Sequence, residues 1–158
     1  MNKNPAFNIM LAPKGQKDLH AFREVLEKSK IKTTLDTLND GQQLMKYLYS
    51  PGIRIPHILF LDLEVPEKGA IDYLLEIRKD QKFSDLAIAI YTASGSDEII
   101  EESFIHGANI FFKKPDDPDL LNNALSQIIK LSWQYHTSGM PRENFLLNLG
   151  TDNHDRKG

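Results

Sequence analysis

Residues 56–66 read PHILFLDLEVP. Ile58, Leu59, Phe60 and Leu61 form an unbroken apolar block between Pro56 and Pro66, the pattern of a short strand covered on both faces, because a half-wet strand alternates. The block stops at Asp62. In an open parallel sheet, ligands and chemistry collect beyond the carboxyl ends of the strands, so an acid emerging there is a candidate nucleophile or metal ligand. Taken by itself it reads equally well as a cap or turn residue, since Asp after a strand is common loop chemistry.

Working outward toward the N-terminus, FNIMLA at 7–12 is a strand, and Leu19, Phe22, Val25 and Leu26 give a helical stripe across 17–28. KTTLDTL at 32–38 is threonine-rich and partly alternating, a strand with a wetter face. Asn39 or Asp40 then caps a helix that turns Leu44, Tyr47 and Leu48 inward. Toward the C-terminus, Ile71, Leu74, Leu75 and Ile77 mark a helix ending near Lys79, and the apolar run Leu86 to Tyr91 is a strand ending in Thr92. Ser94 to Asp97 opens a helix carrying Ile99, Ile100, Phe104 and Ile105, which Gly107 ends. Ile110 to Phe112 is a strand stopping at Lys113, Lys114 and Pro115. Asp117 caps the last helix, with Pro118 at its first position and Asp119 in its first turn, and that helix is expected to run to about Trp133.

Five strands thus alternate with five helices, the pattern of a three-layer parallel α/β sandwich. The expected domain spans 7–133. Residues 134–158 read as a partly disordered C-terminal extension, polar and Gly/Pro-containing, with one apolar knot at Phe145, Leu146, Leu147 and Leu149.

At 158 residues the chain fits one domain. A net charge of -3 leaves no basic footprint, so neither nucleic acid nor an anionic membrane is expected as the main partner. The chain has no cysteine, which excludes a disulfide framework and a thiolate metal site. Its start lacks the basic-then-apolar layout of a secretory signal, and no apolar run approaches the roughly 20 residues of a membrane helix. The expectation is a soluble cytoplasmic protein. His20, His57, His106, His136 and His154 show no metal-ligand spacing and receive no role.

Asp62, Thr92 and Lys114 each stand at the carboxyl end of a different predicted strand, so a parallel sheet carries all three to one rim. There a carboxylate can attack a phosphoryl group whose oxygens a hydroxyl and an ammonium hold. On ILFLDLEVP around Asp62, YTAS with Thr92, KKP with Lys114, the spacings among them and the five-fold alternation, the stretch from Phe7 to Trp133 resembles the receiver domains of two-component response regulators, the CheY-like family. The resemblance implies a doubly wound, flavodoxin-like five-stranded sheet of order 2-1-3-4-5. It implies a signalling domain rather than an enzyme, with Asp62 as phosphoacceptor, Thr92 as switch hydroxyl and Lys114 as its ion partner. Phe111 takes the place of the aromatic whose rotamer reports the switch, and a cis peptide is expected before Pro115. The implied partners are proteins: a sensor histidine kinase or a downstream effector.

The family holds Mg²⁺ with two adjacent acids just after the first strand, and the matching places here are Pro13 and Lys14. Mg²⁺ demands hard oxygen ligands in near-octahedral geometry, and a lysine repels it. No metal or other cofactor is therefore expected. Lys14 is expected to approach Asp62 on one side and Lys114 on the other, with Glu64 as a charge partner for one of the two; two cations would hold the carboxylate ionised. The alternative leaves Lys14 in water. Since the metal is among the largest contributions to such a transfer, its loss slows phosphorylation by about a few orders of magnitude. The expectation is a degenerate, stand-alone receiver that acts by protein binding.

Two alternatives stand beside it. One is an ordinary Mg²⁺-dependent phosphoacceptor in which Glu64 and Asp18 rebuild a metal site, although Asp18, in the opening turn of the first helix, is better placed for capping. The other is a haloacid-dehalogenase-like phosphatase, whose nucleophile motif DLEV resembles but which carries it on the chain's first strand. The tail beyond Trp133, with Tyr135 and the apolar knot, either folds back on the domain or makes a homodimer contact near the fourth helix, fifth strand and fifth helix, the family's usual contact face.

Overall fold

In the computed structural model, which describes residues 6–12, 16–64 and 69–150, the apolar block forms strand β3 (Ile58–Asp62), buried along its whole length. Strands β1 (Phe7–Ala12) and β4 (Ala87–Thr92) flank it in parallel and are equally buried. β2 (Thr33–Thr37) alternates half-buried and exposed positions, as its threonines and aspartate suggest, and lies at one edge. β5 (Ile110–Lys113) and β6 (Leu147–Leu149) complete a parallel sheet of order β2-β1-β3-β4-β5-β6.

The two-residue period of the strands divides the core between two faces. Phe7, Ile9, Leu11, Ile58, Phe60 and Tyr91 meet Phe22 and Val25 of α1 (Gln16–Lys28) and Leu125, Ile128 and Ile129 of α5 (Pro118–Ser138). Met10, Leu59, Leu61, Ile88, Ile90 and Phe111 meet Leu44 and Leu48 of α2 (Gly41–Leu48), Tyr73, Leu74 and Ile77 of α3 (Ala70–Arg78), and Ile100 of α4 (Asp97–Ile105). Each fully buried aliphatic or aromatic side chain of this kind contributes about 1.5–3 kcal/mol. The helices start where side-chain oxygens can take orphan N–H groups: Asp40 accepts from Gln43, Ser96 from Ile99 and Asp117 from Asp119.

The sheet has six strands, which corrects the expected five in order 2-1-3-4-5. A β5 edge left open would present unpaired main-chain groups beside a buried core. The C-terminal segment supplies their partner. α5 continues to Ser138, five residues past its expected end at Trp133, and stops at Gly139, whose φ of 77° is the left-handed conformation that glycine adopts without Cβ strain. A single 3-10 turn at Arg142–Asn144 follows, and Leu147 N–H donates to Asn109 O at 2.8 Å to open the β5–β6 ladder. Tyr135 stacks on Phe145 with ring centroids 4.5 Å apart, and Phe145, Leu147 and Leu149 pack on the α1/α5 side of the core.

His57 also has a structural task. Its N–H donates to Asn8 O at 2.9 Å, and its Nδ1 accepts from the Asn8 N–H at 2.8 Å, which fastens the start of β3 to β1. An accepting Nδ1 is unprotonated. Burial, then the neighbouring His136 and Arg54, lower the pKa of this imidazole. A group whose folded pKa lies below its unfolded value stabilises the fold fully above the unfolded value and loses that contribution as the pH falls through the folded one. The melting temperature of the protein is therefore expected to fall as the pH drops from about 6.5, the ordinary histidine value. In His57→Asn, whose side-chain oxygen falls near the place of Nδ1, that slope should flatten. Thermal melts over a pH series check it; parallel slopes for both proteins would refute the assignment.

Candidate functional site

Parallel topology carries the ends of β3, β4 and β5 to one rim, and the three residues singled out from the sequence meet there. Asp62 and Thr92 are each only 2 % exposed. The Lys114 Nζ lies 3.9 Å from Asp62 Oδ2, while Asp62 Oδ1 accepts from the Glu64 N–H at 2.8 Å. Thr92 Oγ1 accepts from the Ser94 N–H at 3.2 Å, and its carbonyl accepts from the Lys114 N–H at 2.7 Å, so the β4 end, the loop after it and the β5 end are tied together.

Lys114 has a second and nearer partner. Its Nζ donates to both carboxylate oxygens of Asp18, at 3.0 and 3.1 Å. The Tyr91 hydroxyl donates to Asp18 Oδ2 at 3.2 Å, and the Tyr91 ring lies 5.0 Å beneath the ammonium. Burial pushes the Tyr91 hydroxyl well above its ordinary pKa, and the charges of Asp18 and Asp62 add to the rise, so it stays a donor. Asp18 stands in the first turn of α1, as expected, and its carboxylate also pairs with Lys114. Sequence reasoning weighed Asp18 as a cap or a metal ligand and missed its pairing with Lys114, and it missed Tyr91 at this site altogether. The available signals were an acid six residues past β1 and a tyrosine adjoining Thr92, which the strand period turns toward α1.

Glu64 is exposed, and it meets Asp62 through its main-chain N–H. Pro13 and Lys14 lie outside the described residues, and with them any approach of Lys14 to Asp62. Phe111 is fully buried on the α4 side, between two glycines. A Cβ on Gly95 would stand 3.0 Å from Phe111 Cζ, and one on Gly150 would stand 3.0 Å from Phe111 Cδ1 and 2.6 Å from Ile100 Cδ1. The cis bond expected before Pro115 is not found: no described peptide bond is cis. The trans isomer is favoured intrinsically by about 0.5–1 kcal/mol, and the Lys114 N–H to Thr92 O bond closes this turn without the other.

Among the described residues no three His, Asp or Glu side chains form a group that could hold a metal ion. Asp18 and Asp62 share the Lys114 ammonium, an arrangement that does not fit Mg²⁺ as it stands. What the rim offers is a buried carboxylate beside a hydroxyl and an amine, with one carboxylate oxygen fixed by a main-chain donor.

Residues 14–126 match the family model of the response regulator receiver domain. The chain belongs to this family. Among curated relatives, the receiver is 27 % identical to the response regulator Rcp1 of Synechocystis over 115 residues, which cover 70 % of this chain and 78 % of that protein. It is 36 % identical to the regulatory protein LuxO of Vibrio cholerae over 86 residues, 52 % of this chain but only 18 % of LuxO. The fold superposes on the phosphorylated cyanobacterial phytochrome response regulator RcpA with a TM-score of 0.76 at 23 % identity, covering 83 % of this chain and 96 % of that one. For the Mn²⁺-bound form of Rcp1 the TM-score is 0.72 at 25 % identity, over 77 % and 90 % of the two chains. Residues 14–126 are thus a receiver domain of the two-component type with the CheY-like fold, and no helix among the described residues is long and apolar enough to cross a membrane.

Proposed function

We propose that this receiver is degenerate in Mg²⁺-dependent phosphorylation at Asp62 and signals by binding another protein. The observation that carries the reading is the Asp18–Lys114–Asp62 chain, in which one amine stands 3.0 Å from the first acid and 3.9 Å from the second. Pro13 and Lys14 at the positions of the family's acidic pair support it, because neither supplies an oxygen side chain to a hard cation. Phosphoryl transfer to an aspartate depends mostly on positioning and charge neutralisation. With an amine engaged by a neighbouring carboxylate and no divalent ion, Asp62 keeps its place at the rim and loses most of its reactivity. The partner is an effector protein or a histidine kinase that reads the domain's surface. On the β5 side such a partner meets α4 and β6 rather than an open β5 edge, with Ile105 and Leu146 the most exposed apolar side chains there, at 69 % and 63 %.

Incubation with acetyl phosphate and Mg²⁺, followed by intact-mass analysis, tests this. The expected result is labelling of a small minority of molecules, at a rate about 100-fold or more below that of an ordinary receiver run alongside. Stoichiometric labelling that disappears in Asp62→Asn would overturn the proposal in favour of a working phosphoacceptor. That second reading draws on the burial of Asp62 and Thr92 beside Lys114 at one rim.

A further inference from the structure

At the opposite end of the sheet from Asp62, a cavity of about 610 Å³ is lined by Ala6, Lys30, Ile31, Lys32, His57, Trp133, His136 and Thr137. Its volume falls within the roughly 300–1,000 Å³ of small-molecule sites. Ala6 precedes β1, Lys32 precedes β2 and His57 precedes β3, so the strands' amino ends form the floor. Trp133, His136 and Thr137 come from one face of α5 at helical spacing and form a wall. That wall lies beyond residue 126, where the match to the receiver family ends, while Lys30, Ile31, Lys32 and His57 lie within the matched residues.

The lining is cationic and aromatic. Lys30 and Lys32 are exposed, and among the described residues neither is engaged in an ion pair. Arg54 adds positive charge close to His57. Trp133 is 37 % exposed, a large planar surface left partly open. The His57 ring lies flat on Phe7, with centroids 5.2 Å apart, and beside His136, at 4.1 Å. Because His57 Nδ1 accepts the Asn8 N–H, the ring proton sits on Nε2. A metal would need that Nε2 lone pair, so the paired imidazoles offer a fixed donor and not a cation ligand.

We propose that this cavity binds a nucleoside polyphosphate. The phosphates lie on Lys30 and Lys32 with the Nε2–H of His57 as a neutral donor, and the base stacks on Trp133, as bases do on exposed aromatic side chains. Both halves of the ligand follow from the lining: a bare anion would leave the indole unused, and a neutral ring would leave the two ammonium groups unanswered. This assignment is independent of whether Asp62 accepts a phosphoryl group.

Trp133 is the single tryptophan of the chain, so its fluorescence reports on this cavity alone. Titration of the full chain with ATP is expected to change that fluorescence saturably, while adenosine and inorganic triphosphate each bind about tenfold or more weakly. Replacing both Lys30 and Lys32 by Ala should weaken ATP about tenfold or more with the melting temperature unchanged, since both side chains stand in solvent. Asp62→Asn should leave ATP binding as it was. Absence of a saturable change up to millimolar ATP, or a change that survives the double lysine substitution, would overturn the site. Equal binding of inorganic triphosphate would overturn the nucleotide as its ligand.

Discussion

Asn109→Ala is expected to lower the unfolding free energy by about 3–5 kcal/mol, among the largest effects of any single substitution in this protein. Asn109 is fully buried just before β5. Its Oδ1 accepts from Arg78 Nη2 at 3.1 Å and from the Ile88 N–H at 3.0 Å. Its Nδ2 donates to Arg142 O at 2.9 Å and to Phe145 O at 3.0 Å. One amide therefore ties α3, β4 and the C-terminal segment together, and every polar valence on it is used. Truncation leaves two donors and two carbonyls without that partner, at about 1–3 kcal/mol for each one that water cannot reach. Arg78 limits the loss, because its guanidinium also bonds Gly107 O, Phe83 O and Leu86 O. Chemical denaturation measures the total, and a cost below about 1 kcal/mol would show that the clamp does not hold the fold.

Asn109→Asp separates the two halves of that amide. The acceptor facing Arg78 and Ile88 is kept, while a carboxylate oxygen now opposes the carbonyls of Arg142 and Phe145. The expected result is selective: faster amide hydrogen exchange over Leu147–Leu149, with protection retained in β1, β3 and β4. Uniform loss of protection would show that β6 does not open independently of the rest of the sheet.

The sequence made the central layer legible because strands buried on both faces write continuous apolar runs, and Ile58 to Leu61 and Leu86 to Tyr91 are such runs. Helix starts were legible wherever a cap is chemically unambiguous, as at Asp117 followed by Pro118; at Asn39 and Asp40 either could serve, and Asp40 does. The meeting of Asp62, Thr92 and Lys114 followed from topology, since parallel strands send their carboxyl ends the same way. β6 was not legible. Leu147, Asn148 and Leu149 are too few to show a period, and their pairing partner is decided by β5, far off in sequence. Gly139 did offer a stop signal for α5, which the thinning of apolar residues after Trp133 obscured. Asp18 illustrates a different limit. An acid in a first turn satisfies the helix dipole in any helix, and only the packing of α1 against α5 on one face of the sheet brings it to Lys114.

Lys114→Met is the second substitution expected to be severe, at about 3–5 kcal/mol near neutral pH, the cost of breaking a buried ion pair by removing one member. Side-chain exposures of 19 % for Lys114, 11 % for Asp18 and 3 % for Asp62 place the group mostly out of solvent, where screening by water is weak. Methionine preserves much of the stem's packing, so the loss reports the charge. Two neighbouring carboxylates then face each other with the Tyr91 hydroxyl and the Glu64 N–H among their remaining donors. Asp18→Asn in the same chain removes one of those charges and leaves an oxygen to accept from Tyr91. The double variant should therefore recover at least half of what Lys114→Met loses, with a coupling energy of about 1–3 kcal/mol in the double-mutant cycle. Additive losses would mean that Asp18 does not depend on the amine, and the shared-ammonium account of the site would fall with it. The same cycle run with acetyl phosphate carries the functional half of the argument. Asp18→Asn alone frees Lys114 to move closer to Asp62, so if the amine does any of the metal's work, that single variant labels faster than the wild type.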